Sequence, residues 1–349
     1  MELQVPLILT LVLFLFLVVK GLFQSKIVQN RDPKLPPGPW KLPLIGHLLH
    51  LVDPLPHHKL RDLANKHGPL MFLQLGEVPT IIASSPRIAQ EILKTNDVVF
   101  ADRGAIFSGD ILTYGSIGVT LSRYGGHWKQ LRKIITLELL SAKKVQSFLS
   151  VREEEVAHLV EVISSMAGSS VNISLKTQSM TYDIICRTAF GQKCQEKETF
   201  LTIMKEALEL AGGFEIADLF PSYNFLHGIT GVKHRAQKLH QKMDKILTDI
   251  MNEHRLNQND KSGEDIIDVL LRLQDANDST FPIEDNCIKA VLLEIFIAGS
   301  DTSSTTLEWA FSELIRNPQS WRRHNLRLGA FLKERRKFLS HQMLVNSAT

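Results

Sequence analysis

Two short stretches hold residues whose types and spacing could do chemistry. The first is Ala298-Gly299-Ser300-Asp301-Thr302, followed by Ser303-Ser304-Thr305-Thr306. An acid beside a hydroxyl can take up and pass on a proton, and two small residues just before it let a flat ligand approach a backbone. The same composition suits a close helix–helix crossing with a bend. Gly weakens a helix, and Ser or Thr can bond back to the carbonyl four residues earlier and distort the ladder. The second stretch is Trp128-x-x-x-Arg132, inside Tyr124-Gly125-Gly126-His127-Trp128-Lys129-Gln130-Leu131-Arg132-Lys133. Residues four apart share a helix face. An indole N–H and a guanidinium pointing the same way form a two-pronged anion clamp. A Trp ring packed on an Arg stem satisfies the same spacing.

Other chemistries find no support. His47, His50, His57, His58 and His67 cluster early but come without His-Glu-x-x-His or paired Cys-x-x-Cys. No metal centre is expected, and these histidines read as solvated or capping. A Gly-rich loop ending in Lys-Ser/Thr is absent, so nucleotide hydrolysis is not indicated. Three Cys in 349 residues exclude a disulfide framework, and 44% hydrophobic against 22% charged residues excludes a disordered chain. Cys186 and Cys287 fall in helical runs and Cys194 in a polar turn, so all three read as structural.

The elements that must position these residues are mostly helices. Pro56–His67 reads as a short helix ended by Gly68-Pro69. Leu70–Leu75 and Thr80–Ala83 are β-rich runs joined by residues 76–79, a hairpin. Ser85-Pro86 starts another helix, with Ser as N-cap and Pro in the first turn. Residues 102–122, rich in Gly, Ser and Thr, read as a long loop. Helical periodicity then predicts helices over 123–139, 142–167, 175–190, 196–211, 231–258, 263–275 and 283–316. The last would be roughly 50 Å long and carries the Asp301-Thr302 pair at its middle. The fold class is mainly α with a small β-element.

Ahead of this body lies Leu3–Val19, apolar apart from Gln4 and Thr10 and long enough to cross a bilayer. Glu2 precedes the run, and Lys20, Lys26, Arg31 and Lys34 follow it. That pattern fits a retained single-pass anchor with the bulk of the chain in the cytosol better than a cleavable signal peptide. Pro36-Pro37-Gly38-Pro39 is a stiff spacer. The domain expectation is therefore an anchor at 1–20, a Pro-rich hinge at 21–40, one domain at 41–319 and a divergent basic tail at 320–349. The tail holds seven Lys and Arg against Glu334 alone, a balance of +6, whereas residues 1–319 sum to −3. Such a body is not a nucleic-acid binder by composition.

In this order, the anchor, Pro36-Pro37-Gly38-Pro39, Trp128-x-x-x-Arg132 and Ala298-Gly299-Ser300-Asp301-Thr302 resemble the membrane-bound cytochrome P450 monooxygenases. Phe100-Ala101-Asp102-Arg103 and the sequence around Trp128 resemble the plant type that hydroxylates terpenoids. The resemblance implies a haem cofactor. Trp128 and Arg132 would hold a propionate, and Ala298 and Gly299 would let the helix lie on the porphyrin. Asp301 and Thr302 would be the catalytic proton carriers, and Ile106, Ile111, Phe214 and Ile295 would line a pocket for a small apolar substrate. It also implies an NADPH-dependent reductase as partner, contact with membrane lipid and an endoplasmic reticulum location. The family's Phe-x-x-Gly-x-Arg-x-Cys-x-Gly loop and Glu-x-x-Arg helix have no counterpart in this sequence, so a P450 fold lacking its C-terminal part is expected, inactive alone. The alternative is a non-catalytic, membrane-anchored interaction protein. The match to the family pattern breaks after Gln319, and a shifted reading of the Ser320-Trp321 codons can give Met, so 320–349 is expected to come from another frame.

Overall fold

The computed structural model describes residues 35–329 apart from 195–196, 213–214, 224, 257–262, 277–281, 324 and 328. Leu3–Val19 lies outside the described residues. Among those described, no helix is long and apolar enough to cross a membrane. The principal helices are α1 (Pro56–His67), α2 (Phe107–Leu112), α3 (Gly126–Ile134), α4 (Leu149–Ser165), α5 (Ile173–Phe190), α6 (Lys197–Gly212), α7 (Val232–Leu256), α8 (Ile266–Asp275) and α9 (Asp285–Arg316). One antiparallel pair, β1 (Leu70–Leu75) and β2 (Val78–Ala83), accompanies them. The mainly helical class with a small β-element is therefore what the chain adopts. Two compact units form: residues up to Lys133 together with Glu198–Thr248, and Ile134–Lys197 together with residues from Asp249 onward.

In the first unit the hairpin is the organising element. Its register pairs Leu75 with Val78 and Leu70 with Ala83. The turn is thus Gly76-Glu77, and β2 begins two residues earlier than the sequence suggests. Pro79 sits inside β2, where a two-stranded sheet leaves an edge that needs no N–H donor. Gly76 has φ of 61°, and a Cβ there would lie 2.4 Å from the Leu219 carbonyl oxygen, so only Gly fits. Met71, Leu73 and Leu75 alternate inward and pack on Leu48, Leu51, Leu60, Leu63 and Leu219. Each such side chain contributes about 1.5–3 kcal/mol when buried.

The Pro-rich segment is bound along this hairpin. Phe72 N–H donates to the Pro37 carbonyl at 3.0 Å. His47, buried, accepts the Gln74 N–H at Nδ1 (2.6 Å) and donates from Nε2 to the Pro39 carbonyl (3.0 Å). That pattern fixes the neutral Nε2–H tautomer. His50 Nε2 reaches the Trp40 carbonyl at 2.9 Å, and its ring meets Trp40 edge-on. A Cβ on Gly38 would lie 2.3 Å from the Phe72 carbonyl oxygen, which explains the Gly between the prolines.

Residues 102–122 are not a plain loop. They contain α2, whose first N–H is capped from far away: Phe107 N donates to Asp218 Oδ1 at 3.0 Å. Ser108 Oγ donates to the Leu210 carbonyl at 3.2 Å. After α2 the chain reverses through Tyr114, Gly115 and Ser116, all at positive φ. Part of α7 closes this unit with a buried stripe at Val232, Ala236, Leu239, Met243 and Leu247, spaced three or four apart.

The second unit is built on α5 against α9. Tyr182 meets Phe296 edge-on at 4.9 Å between ring centroids, and Phe190 stacks on Phe296 at 6.0 Å. Thr181 Oγ1 donates to the Ser300 carbonyl at 3.0 Å. A capping box, Asp265 with Asp268, starts α8. His254 Nε2 reaches Asp265 Oδ2 at 3.0 Å while Nδ1 reaches the Ile250 carbonyl at 2.9 Å. Glu155, buried, is held by Arg187 and Lys193 at 2.8 Å each, and Asp183 by Lys197 at 2.7 Å.

Candidate functional site

Trp128 and Arg132 lie on α3, in the first unit, four residues apart as the spacing predicts. Arg132 is exposed, its guanidinium carbon 5.2 Å from the centroid of the Trp128 ring, a cation–π contact. The Trp128 indole N–H donates to the Val119 carbonyl at 3.0 Å. Both readings of the spacing are thus present in the geometry. The Arg packs over the ring, and its donors face water, without an ion pair among the described residues. One prong of an anion clamp is available, while the other must exchange Val119 for the anion.

Asp301 and Thr302 lie on α9, in the second unit. Thr302 Oγ1 donates to the Ala298 carbonyl at 2.6 Å, which leaves its lone pairs to accept. Ser300, Ser304 and Thr306 also bond back to carbonyls three or four residues earlier. The expected local distortion is absent: α9 is assigned as one uninterrupted helix from Asp285 to Arg316. These hydroxyls add bonds to a ladder that stays intact.

The two sides of α9 are distinct. Phe296, Ser300 and Ser304 are buried, and a Cβ on Gly299 would lie 2.5 Å from Ile185 Cδ1. Gly299 is therefore small where α5 passes, as the helix-crossing explanation requires. Ala298, Asp301, Thr302 and Thr305 are exposed, with Ile295 half-buried along the same side. Ile106 stands just before α2 and Ile111 lies on it, both half-buried in the first unit. Phe214 lies outside the described residues.

Sequence reading missed two groupings. His254, Asp265 and Asp268 bring ligand-type atoms within 4.8 Å of one another. Asp265 and Asp268 share the cap of α8, and His254 reaches Asp265 from α7, so their polar atoms are engaged in the helix cap just described. The other is a small cleft between α4 and α5, where Glu155, Lys176 and Asp183 stand beside Leu159, Val162 and Met180.

The cytochrome P450 family profile matches residues 36–344. The chain belongs to the cytochrome P450 family. It is 51% identical over 317 residues to desmethyl-deoxy-podophyllotoxin synthase of Sinopodophyllum hexandrum, covering 88% of this chain and 61% of that protein. It is 47% identical over 311 residues to premnaspirodiene oxygenase of Hyoscyamus muticus, covering 87% and 61%. Against germacrene A hydroxylase of Barnadesia spinosa it is 46% identical over 321 residues, covering 92% and 64%. The chain thus spans about three-fifths of the length of these curated relatives.

Haem is the cofactor of cytochrome P450 proteins, and the residues present can be tested against it. Arg132 suits a carboxylate of the group, and the exposed small residue Ala298 suits a flat ring. The axial position is different, because the iron needs a Cys thiolate with an open coordination side. Cys186 is fully buried. Its hydrogen bond with Cys194, together with burial, pushes its thiol far above the ordinary range. Cys287 is buried on α9 and pushed up to about 11, by burial first and then by Glu294 and Glu284. Cys194, half-buried, is engaged with Cys186 and Tyr182. None of the three fits an axial thiolate.

Proposed function

We propose that this chain carries the substrate-side and proton-handling part of a monooxygenase that hydroxylates a small, apolar, terpenoid-like molecule. The observation that carries this reading is the exposed side of α9, where Asp301 stands beside Thr302 and the Thr302 hydroxyl is seated on the Ala298 carbonyl. A carboxylate next to a hydroxyl whose donor is already engaged is a short proton path ending in an acceptor. Arg132 is the anion-holding prong, with Trp128 beside it. The substrate class is supported by relatives whose names are oxygenase and hydroxylase, germacrene A hydroxylase among them. Leu3–Val19, flanked on its far side by lysines, is the proposed anchor in the endoplasmic reticulum membrane, with a membrane-bound NADPH reductase as the electron source.

These 349 residues, acting alone, are proposed to be non-catalytic, because none of their cysteines is placed to bind iron. Given haem and reduced under carbon monoxide, the chain is expected to show no thiolate-type Soret band; a full-stoichiometry band would overturn that reading. The monooxygenase assignment is tested separately, with residues 1–319 joined to the C-terminal part of a full-length relative. Supplied with reductase, that chimera is expected to hydroxylate a terpenoid, and its Thr302→Ala form to lose at least about tenfold in turnover, the low side of what proton-transfer groups contribute. A chimera that binds haem but oxygenates no apolar substrate would rule the assignment out.

A further inference from the structure

The helix α2 has only six residues, and helices so short do not persist without tertiary partners. Its own start offers none, since the Ile106 side chain accepts no hydrogen bond. The partner comes from the short helix Ile216–Leu219, where Asp218 Oδ1 accepts the Phe107 N–H at 3.0 Å. One residue on, Ser108 Oγ donates to the Leu210 carbonyl at 3.2 Å. The Phe107 ring is stacked on His227, with 3.7 Å between centroids and 19° between planes. All three contacts reach the same distant stretch, from Leu210 to His227. Asp218 is itself a fixed point in that stretch. The Glu77 N–H donates to the Leu219 carbonyl at 2.8 Å, and Glu77 Oε2 accepts the Ser222 N–H at 2.8 Å. A carboxylate held in this way by the hairpin turn sets where α2 begins. It thereby places Ile106, just before the helix, and Ile111, on it.

We propose that Asp218 is a positioning residue for substrate selection: it fixes α2 so that Ile106 and Ile111 present one apolar outline to the molecule to be hydroxylated. The inference rests on the monooxygenase function proposed above and on the pocket that the family resemblance gives these two isoleucines. Asp218 acts through the backbone of α2 and touches neither substrate nor cofactor. Without its carboxylate the Phe107 N–H loses its acceptor, the first turn frays, and the two isoleucines take up several placements. A pocket wall that moves binds a rigid apolar molecule less tightly and holds it in more than one orientation. KM then rises and the products diversify, while proton delivery at Thr302 is untouched.

The full 349-residue chain and the chimera of residues 1–319 test this together. In the full chain, Asp218→Ala should speed amide exchange over Phe107–Leu112, and Asp218→Asn, which keeps an accepting oxygen, should not. In the chimera, supplied with reductase and a terpenoid, Asp218→Ala should raise KM about fivefold, what one net hydrogen bond is worth. Hydroxylation should spread over more positions of the substrate, with kcat per bound haem kept and Asp218→Asn matching the parent. The inference is overturned if exchange over α2 is unchanged in Asp218→Ala. It is equally overturned if KM and the product distribution hold while haem content or kcat falls, the mark of a residue that only supports folding. A parent chimera that binds haem and oxygenates no apolar substrate would instead remove the function proposed above, and this inference with it.

Discussion

Trp128 and Gly299 show what single residues contribute and how each can be tested. Trp128 donates its indole N–H to Val119 while Arg132 covers its ring. Trp128→Phe keeps an aromatic face but deletes the donor and the pyrrole part of the ring, so it should cost at least about 1 kcal/mol, the net worth of one neutral hydrogen bond. Thermal unfolding reads that loss, and faster amide exchange around Val119–Leu121 locates it. Gly299→Ala places a Cβ 2.5 Å from Ile185 Cδ1. Overpacking of this kind costs about 1–3 kcal/mol. Because the clash is with a terminal methyl, Ile185→Val should recover most of that loss in the double variant. A double variant no more stable than Gly299→Ala alone would mean that the glycine answers to something other than α5.

Elements carry the next set of consequences. His47 ties the Pro-rich segment to β1 in its neutral form. Burial, helped by the charges of His50 and Lys41, holds it below the ordinary value of 6.5 and outweighs the opposing backbone bonds at Pro39 and Gln74. The unfolded chain therefore protonates first as pH falls. The contribution of His47 to stability is complete above 6.5, is lost as pH drops from there toward the lower folded value, and then levels off. Melting of the native chain should fall between pH 7.5 and 5.5, and His47→Gln should flatten that part of the profile. Among the elements themselves, α1, the hairpin and the long helices could be read from periodicity and turn residues, several of them to within one or two residues. The helix α2 could not. It follows Ile106, whose apolar side chain at the N-cap position accepts no hydrogen bond, and its first N–H is satisfied by Asp218, 111 positions along the chain. No local pattern announces such a cap. The π-type turns at Glu91–Thr95 and Ile135–Leu139 were likewise hidden inside ordinary helical periodicity.

For the molecule as a whole, burial along α9 is one-sided. No α9 residue after Ser304 is buried, and Trp309 and Ile315 are 63% and 72% exposed. Exposed aromatic and branched side chains on one helix favour association. Residues 30–349 are expected to self-associate at micromolar concentration, and Trp309→Gln with Ile315→Asn to shift the distribution toward monomer by light scattering. A monomeric, cooperatively melting 30–349 would count against this expectation. The candidate site was legible in part for a related reason. Asp301-Thr302 and Trp128-x-x-x-Arg132 stand out because acid, hydroxyl, indole and guanidinium are conspicuous at helical spacing. The contact of Gly299 with Ile185 was not, since nothing in the sequence says which neighbour a small residue makes room for.

The Pro-rich segment has a mechanical meaning. Within four residues, the carbonyls of Pro37, Pro39 and Trp40 are gripped by Phe72, His47 and His50. A pull arriving from the N-terminal side meets these contacts before it reaches the leucines under the hairpin. They act as a strain relief, like the clamp where a cable enters its housing: a pull on this segment is shared among three hydrogen bonds before it reaches the apolar contacts under the hairpin.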